Sequence, residues 1–202
     1  MPYYKNINTL LIHIPKTGGT SLEEYLQTKS PQTLFSGYTN DIMPEEHLRN
    51  ISLQHQFFSD IWRYRNILQI DFTNIKIITI VRNPYDRIIS DLLYLNLIKH
   101  TTHPDKISSI IKKYIQRTDL DNHNVPQYKF ICDSKGNLSK NMAQIKIFKT
   151  ETLTKELQEY GFIDYKGKNT AANYIQYLNK DSIKLINNFY QVDFLIFGYT
   201  MI

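Results

Sequence analysis

The sequence predicts an α/β fold in one domain spanning residues 1–202, with a central, mainly parallel sheet flanked by helices. Three observations carry that expectation. Short β-branched runs alternate with stretches of helical periodicity along the chain. The run Ile75 to Val81 (IKIITIV) is apolar on both faces, as a strand covered by helices on both sides must be. A length of 202 residues with 42% hydrophobic content fits one buried core rather than two.

Taken in order, Thr9 to Ile14 (TLLIHI) reads as the first strand, ended by Pro15 and the Gly18, Gly19 pair. The following helix is expected to be capped by Thr20 or Ser21, with Glu23 and Glu24 in its first turn and Leu22, Tyr25 and Leu26 on its apolar face, and to end near Ser30 and Pro31. Thr33 to Pro44 reads as a loop holding at most one short strand, and Phe57, Phe58, Ile61 and Arg65 mark a helix just after His55. After the Ile75 to Val81 strand, Asn83 as cap, Pro84 at the first position and Asp86 in the first turn start a helix running to about Leu97. Asp105 to Arg117 predicts a further helix, Gln144 to Phe148 a third strand, Thr150 to Tyr160 a helix and Asp181 to Tyr190 the last long one.

Composition excludes several classes. Charged residues make up 21% and aromatics 13%, unlike a disordered chain. The single Cys132 rules out both an internal disulfide framework and a multi-cysteine zinc site, which fits a reducing compartment. A net charge of +5 suits an anionic ligand, but no dense basic run points to nucleic acid. No apolar run has the length of a bilayer span and Met1 to Asn8 carries no signal-peptide core, so the expectation is a cytoplasmic protein.

Chemistry concentrates in two places. The first strand leads into Pro15, Lys16, Thr17, Gly18, Gly19, Thr20 and Ser21 and then a helix: free N–H groups, glycines, an ammonium and two hydroxyls converge as a phosphate cradle. It is not the Walker loop, because there the lysine follows the second glycine and here it precedes both. The second strand ends in Val81 and Arg82 instead of a magnesium-binding aspartate. Arg82 stands at the carboxyl end of a strand, where open α/β sheets bind ligands. Asn83, Asp86 or Arg87, and Ser90 share one helical face, so Arg82 with Ser90 can grip a second phosphate.

These residues resemble the sulfotransferases that use 3′-phosphoadenosine 5′-phosphosulfate. IHIPKTGGTSL is similar to the family's 5′-phosphosulfate loop and IVRNPYDRIISDLLYL to its 3′-phosphate element, in that order and with His55 between them. The branch it resembles most is the carbohydrate type, related to heparan sulfate 2-O-sulfotransferases and their cytoplasmic relatives. Weaker likenesses cover most of the chain: His123 with Pro126 and Gln127 is similar to a family HxxPQ segment, Ile147 to Leu153 to its strand-helix junction, and Asp193 to Tyr199 to its ending. The chain departs from Golgi members in lacking a membrane anchor and disulfides, so neither a luminal site nor their polysaccharides carry over.

The resemblance implies a P-loop-like sulfotransferase fold. It implies that Lys16, Thr17, Gly18, Gly19, Thr20 and Ser21 hold the 5′-phosphosulfate, that Arg82 and Ser90 hold the 3′-phosphate, and that Lys16 neutralises the leaving oxygen. His55 falls at the place of the catalytic base, where an ordinary imidazole pKa near 6.5 leaves it able to accept a proton at pH 7. His123 is the reserve for acceptor contact, and His13, inside the first strand, is expected to point into packing. The implied activity is sulfuryl transfer to a hydroxyl, with a sugar or glycan as favoured acceptor and no metal. Two alternatives stay open: a P-loop-type kinase, and a nucleotide-binding partner protein without chemistry.

Overall fold

In the computed structural model, which describes residues 1–31, 42–133, 137, 144–167 and 174–202, the two-faced run forms strand β3 (Lys76–Val81). It lies between β2 (Thr9–Ile12) and β4 (Ile145–Lys149) and is parallel to both, in register Leu11 to Ile78 and Thr79 to Ile147. A two-residue strand β1 (Tyr3–Tyr4) adds antiparallel to β2, giving the order β1-β2-β3-β4 among the described residues. Two residues carry no alternation, so β1 has no sequence signature. The α/β sheet flanked by helices is as expected.

The period of two sorts the strand side chains onto opposite faces. On one face Leu11, Ile78, Ile80 and Phe148 pack against Leu22 and Leu26 of α1 (Gly19–Lys29) and Leu153 and Leu157 of α6 (Leu153–Tyr160). On the other, Leu10, Ile12, Ile77 and Val81 meet Phe58 and Ile61 of α3 (Phe58–Arg63), with Phe130 and Phe197. A third cluster joins α4 (Pro84–Tyr94), α5 (Pro104–Tyr114), α7 (Lys180–Phe189) and α8 (Gln191–Phe197) through Ile88, Leu92, Ile111, Ile186 and Phe194. A single turn, α2 (Glu46–Arg49), precedes the segment that carries His55. Among the described residues no helix is long and apolar enough to cross a membrane.

Local expectations divide. Asn83 does cap α4, its side chain accepting from the Tyr85 N–H with Pro84 behind it. The start of α1 differs: it begins at Gly19, with Gly18 as N-cap in the left-handed region at φ 97° and no side-chain cap. Thr20 and Ser21 therefore lie inside the helix, and Glu23 is displaced beyond the first turn to pair with His13. The helix from Thr150 opens instead as a 3-10 turn (Thr150–Thr152) before α6. The Thr33 to Pro44 loop falls largely outside the described residues, as does much of 134–143.

Candidate active site

The carboxyl ends of β2 and β3 open into a cavity of about 260 Å³ whose lining includes Lys16, Gly18, Gly19, Thr20, Arg82 and Ser90, together with His13, His55 and His123. The structure thus brings together most of the residues singled out in the sequence. Thr17 and Ser21 are not in the lining. Thr17 is buried, its hydroxyl donating to the Ile14 carbonyl at 2.8 Å, and Ser21 accepts from the Tyr165 hydroxyl at 3.3 Å.

The cradle is held open by its backbone. Lys16 adopts φ 65°, a left-handed conformation unusual for a side chain of its size and typical of functional loops. Gly18 at φ 97° requires a glycine for the same reason. At Gly19 the reason is space: a Cβ there would come within 2.7 Å of His13 Nε2. His13 cannot yield easily, because its Nδ1 is bonded to Glu23. Gly19→Ala should therefore destabilise the protein by about 1–3 kcal/mol through overpacking, read as a lowered melting temperature; an unchanged melt would show that the ring gives way freely. No side chain caps α1, so its N-terminus and the positive end of its dipole face the cavity.

Lys16 and Arg82 supply charge. Among the described residues no carboxylate forms an ion pair with either, although four lysine or arginine pairs with carboxylates form elsewhere. Burial lowers the Lys16 pKa, Asp91 works against that and Arg82 adds to it; its Nζ rests 3.8 Å above the Tyr94 ring. Arg82 donates to the Lys16 carbonyl at 3.3 Å, and its guanidinium lies 5.4 Å from the Tyr174 ring. Its backbone is clamped by the Gln127 amide, which accepts from Arg82 N and donates to Arg82 O, both at 2.9 Å. Asp193 in turn accepts the N–H groups of Gln127 and Tyr128 at 2.8 Å each. Two of the weaker sequence likenesses thereby acquire a physical role beneath Arg82.

Arg87 was grouped with the phosphate-facing side of α4, but it is buried and occupied by backbone. It donates to the carbonyls of Pro15 at 3.0 Å, Val125 at 2.9 Å and His123 at 2.7 Å, tying the cradle to the loop that carries His123. Thr150, at the start of the 3-10 turn after β4, binds the same region: its hydroxyl donates to the Thr17 carbonyl at 2.6 Å, with the Val81 carbonyl also in reach at 3.1 Å.

His55 sits on a 3-10 turn (Leu53–His55), buried, with Nδ1 2.7 Å from Asp121 Oδ2. A carboxylate only accepts, so Nδ1 carries the proton and Nε2 keeps its lone pair. Asp121 also accepts from Ser52 N at 2.6 Å and Ser52 Oγ at 2.7 Å, while Asn122 donates to the His55 carbonyl at 3.0 Å. Asp121 and Asn122 both have positive φ, 49° and 62°, the local distortion that aims this pair of side chains. Burial pulls the His55 pKa down to about 4, Asp121 resists, and His13 and His123 add to the depression. The ring is thus neutral well below the pH expected of an ordinary imidazole. Asp121 lies below its usual range: burial acts to raise it, and the bonds from His55 and Ser52 outweigh that.

Asp91 and Tyr94 lie inside the segment IVRNPYDRIISDLLYL without a role assigned to them there, and Asp121 carries no sequence signal. Asp91 is fully buried and accepts from His123 Nδ1 at 2.7 Å and the Tyr114 hydroxyl at 2.5 Å. Tyr94 stacks on His123 at 5.8 Å. His13 is buried against Gly19, as expected of a packing residue, and also lines the cavity beside His55, their ring centroids 5.3 Å apart. A family model described as Sulfotransferase family matches residues 5–200 of the chain. No curated protein and no solved structure matches it.

Proposed function

The chain belongs to the sulfotransferase family, and from that premise we propose that it moves a sulfuryl group from 3′-phosphoadenosine 5′-phosphosulfate to an acceptor hydroxyl, with a saccharide or glycan as favoured acceptor. One observation supports this reading above the others: two cations with no ion-paired carboxylate among the described residues share a cavity with an uncapped helix N-terminus and a buried, neutral imidazole.

In this reading Gly18, Gly19 and Thr20 cradle the 5′-phosphosulfate and Arg82 with Ser90 holds the 3′-phosphate, while Thr17 and Ser21 shape the loop from behind. His55 Nε2 takes the proton of the acceptor hydroxyl as that oxygen attacks sulfur. Lys16 stabilises the negative charge gathering on the 5′-phosphate oxygen as its bond to sulfur breaks. Asp121 holds the imidazole in the tautomer that can accept and stabilises the imidazolium that forms. The donor brings the activated sulfuryl group; the protein contributes position and charge. The polar lining of the acceptor side, Gln54 with three imidazoles, suits a hydroxyl-rich acceptor.

The reading is tested by nucleotide selectivity. Calorimetry should find 3′-phosphoadenosine 5′-phosphate bound about 30-fold to 1000-fold more tightly than ADP without magnesium, corresponding to roughly 2–4 kcal/mol of charge-assisted hydrogen bonding. Arg82→Ala should erase most of that difference. Equal binding of the two nucleotides would overturn the proposal.

A further inference from the structure

Sulfuryl transfer as derived above uses one imidazole, yet three line the cavity, and each has its Nδ1 held by a carboxylate: His13 by Glu23, His55 by Asp121 and His123 by Asp91. His55 stands edge-to-face with both neighbours, its centroid 5.3 Å from His13 and 5.0 Å from His123. His123, fixed through Nδ1 to Asp91, presents Nε2 in a set direction, the arrangement that orients histidine ligands around a metal ion, whereas at His55 the carboxylate on Nδ1 is itself a possible ligand.

We propose that His55, Asp121 and His123 form a binding site for a divalent transition-metal ion of the zinc class, and that the ion shuts off transfer by taking Nδ1 of His55 and so removing the tautomer whose Nε2 accepts a proton. One ligand atom from each of the three residues lies within 4.8 Å of the others. To share one ion these atoms must draw together until each stands at the roughly 2.0–2.2 Å that zinc takes from nitrogen and oxygen ligands. Two imidazoles and one carboxylate favour zinc, copper or nickel over magnesium and calcium, which take oxygen.

The surroundings are those of a supported site. Asp91 is fully buried, bonds His123 Nδ1 and is itself bonded by Tyr114, so His123 is braced from behind. Ser52 holds Asp121 through its N–H and its hydroxyl, bonds that survive if Asp121 exchanges the His55 proton for a metal ion. The cavity reaches the site from the side of His55 and His123, both of which line it. With Nδ1 on the ion, the proton of the neutral His55 ring resides on Nε2, and the ring can no longer take the acceptor's proton. That inhibitory consequence rests on the function proposed above; the binding itself does not.

The test separates the two. Zinc chloride titrated into chelator-treated full-length protein, with no nucleotide present, should show one ion bound per chain with micromolar or tighter affinity, and magnesium chloride should show none. His123→Ala and Asp121→Asn should each weaken zinc at least ~10-fold, while His103→Ala, at an exposed position outside the cavity, should not. Cobalt(II) supplies a second readout, its visible absorption reporting low-coordinate nitrogen and oxygen ligation in the wild type and losing intensity in folded His123→Gln. Zinc bound equally by wild type and both ligand variants, or not bound at all, overturns the site. If zinc binds through these residues but protein never transfers sulfate, the metal site stands and the proposed function falls. If transfer occurs and chelator-reversible inhibition by zinc is absent, the regulatory role falls alone.

Discussion

Replacing Lys16 by alanine is expected to lower the turnover number by roughly 100-fold or more, the loss typical of a removed charge-stabilising donor, while weakening product-nucleotide binding far less. The asymmetry follows from when the charge is needed. Negative charge on the 5′-phosphate oxygen grows as the sulfur bond breaks, so an ammonium beside it favours the transition state over the ground state. Lys16 is suited to this because no carboxylate among the described residues forms an ion pair with it and because partial burial makes its charge effective. Its left-handed backbone and its contact with Tyr94 fix where the side chain starts from. Lys16→Arg should recover little, since a planar guanidinium cannot occupy the same point position. Single-turnover rates and calorimetric affinities measured on the same variant decide the matter. Poor binding with normal turnover at saturation would reduce Lys16 to a binding residue.

Much of the fold was legible because the signals were strong and local. Ile75 to Val81 could only be a strand covered on both faces, and Asn83 with Pro84 could only open a helix. The cradle was legible for the same reason, its lysine, glycines and hydroxyls being contiguous. What the sequence hid is what only tertiary structure creates. His13 reads as an apolar-strand residue until the chain turns and Glu23, on the next helix, captures its Nδ1. Asp121 lies 66 positions from His55, and Asp91 lies 32 from His123; no periodicity links such pairs. Arg87 shares a helical face with Ser90 in the sequence, and only the arrival of three backbone carbonyls shows its use. The Gly18 cap was misread because Thr20 and Ser21 are good capping residues by type, whereas the left-handed turn at Lys16 and Gly18 starts the helix earlier.

His55→Ala is expected to lose about 100-fold to 10,000-fold in transfer, the range of a general base, while nucleotide affinity changes little. The geometry adds two requirements that the sequence could not supply. Asp121→Asn should also lower turnover, because an amide that donates toward Nδ1 favours the wrong tautomer, and His55→Ala combined with it should be little worse than His55→Ala alone if the two act as one unit. The pH dependence should be shifted as well. An ordinary imidazole would lose its lone pair as pH falls through about 6.5, but burial holds His55 at about 4. With a chelator present, wild-type turnover should therefore stay level from pH 8 to about pH 5 and fall only below that, and the limb should be absent in the residual activity of His55→Ala. An acid limb centred near 6.5 would assign the base to a solvated group instead. The alanine variant also removes a buried ring, so its melting temperature and folded fraction must be measured alongside. If its activity per folded molecule equals wild type, His55 is a packing residue and the proton must go to another group, with His123 and its Asp91 partner the next candidates by position.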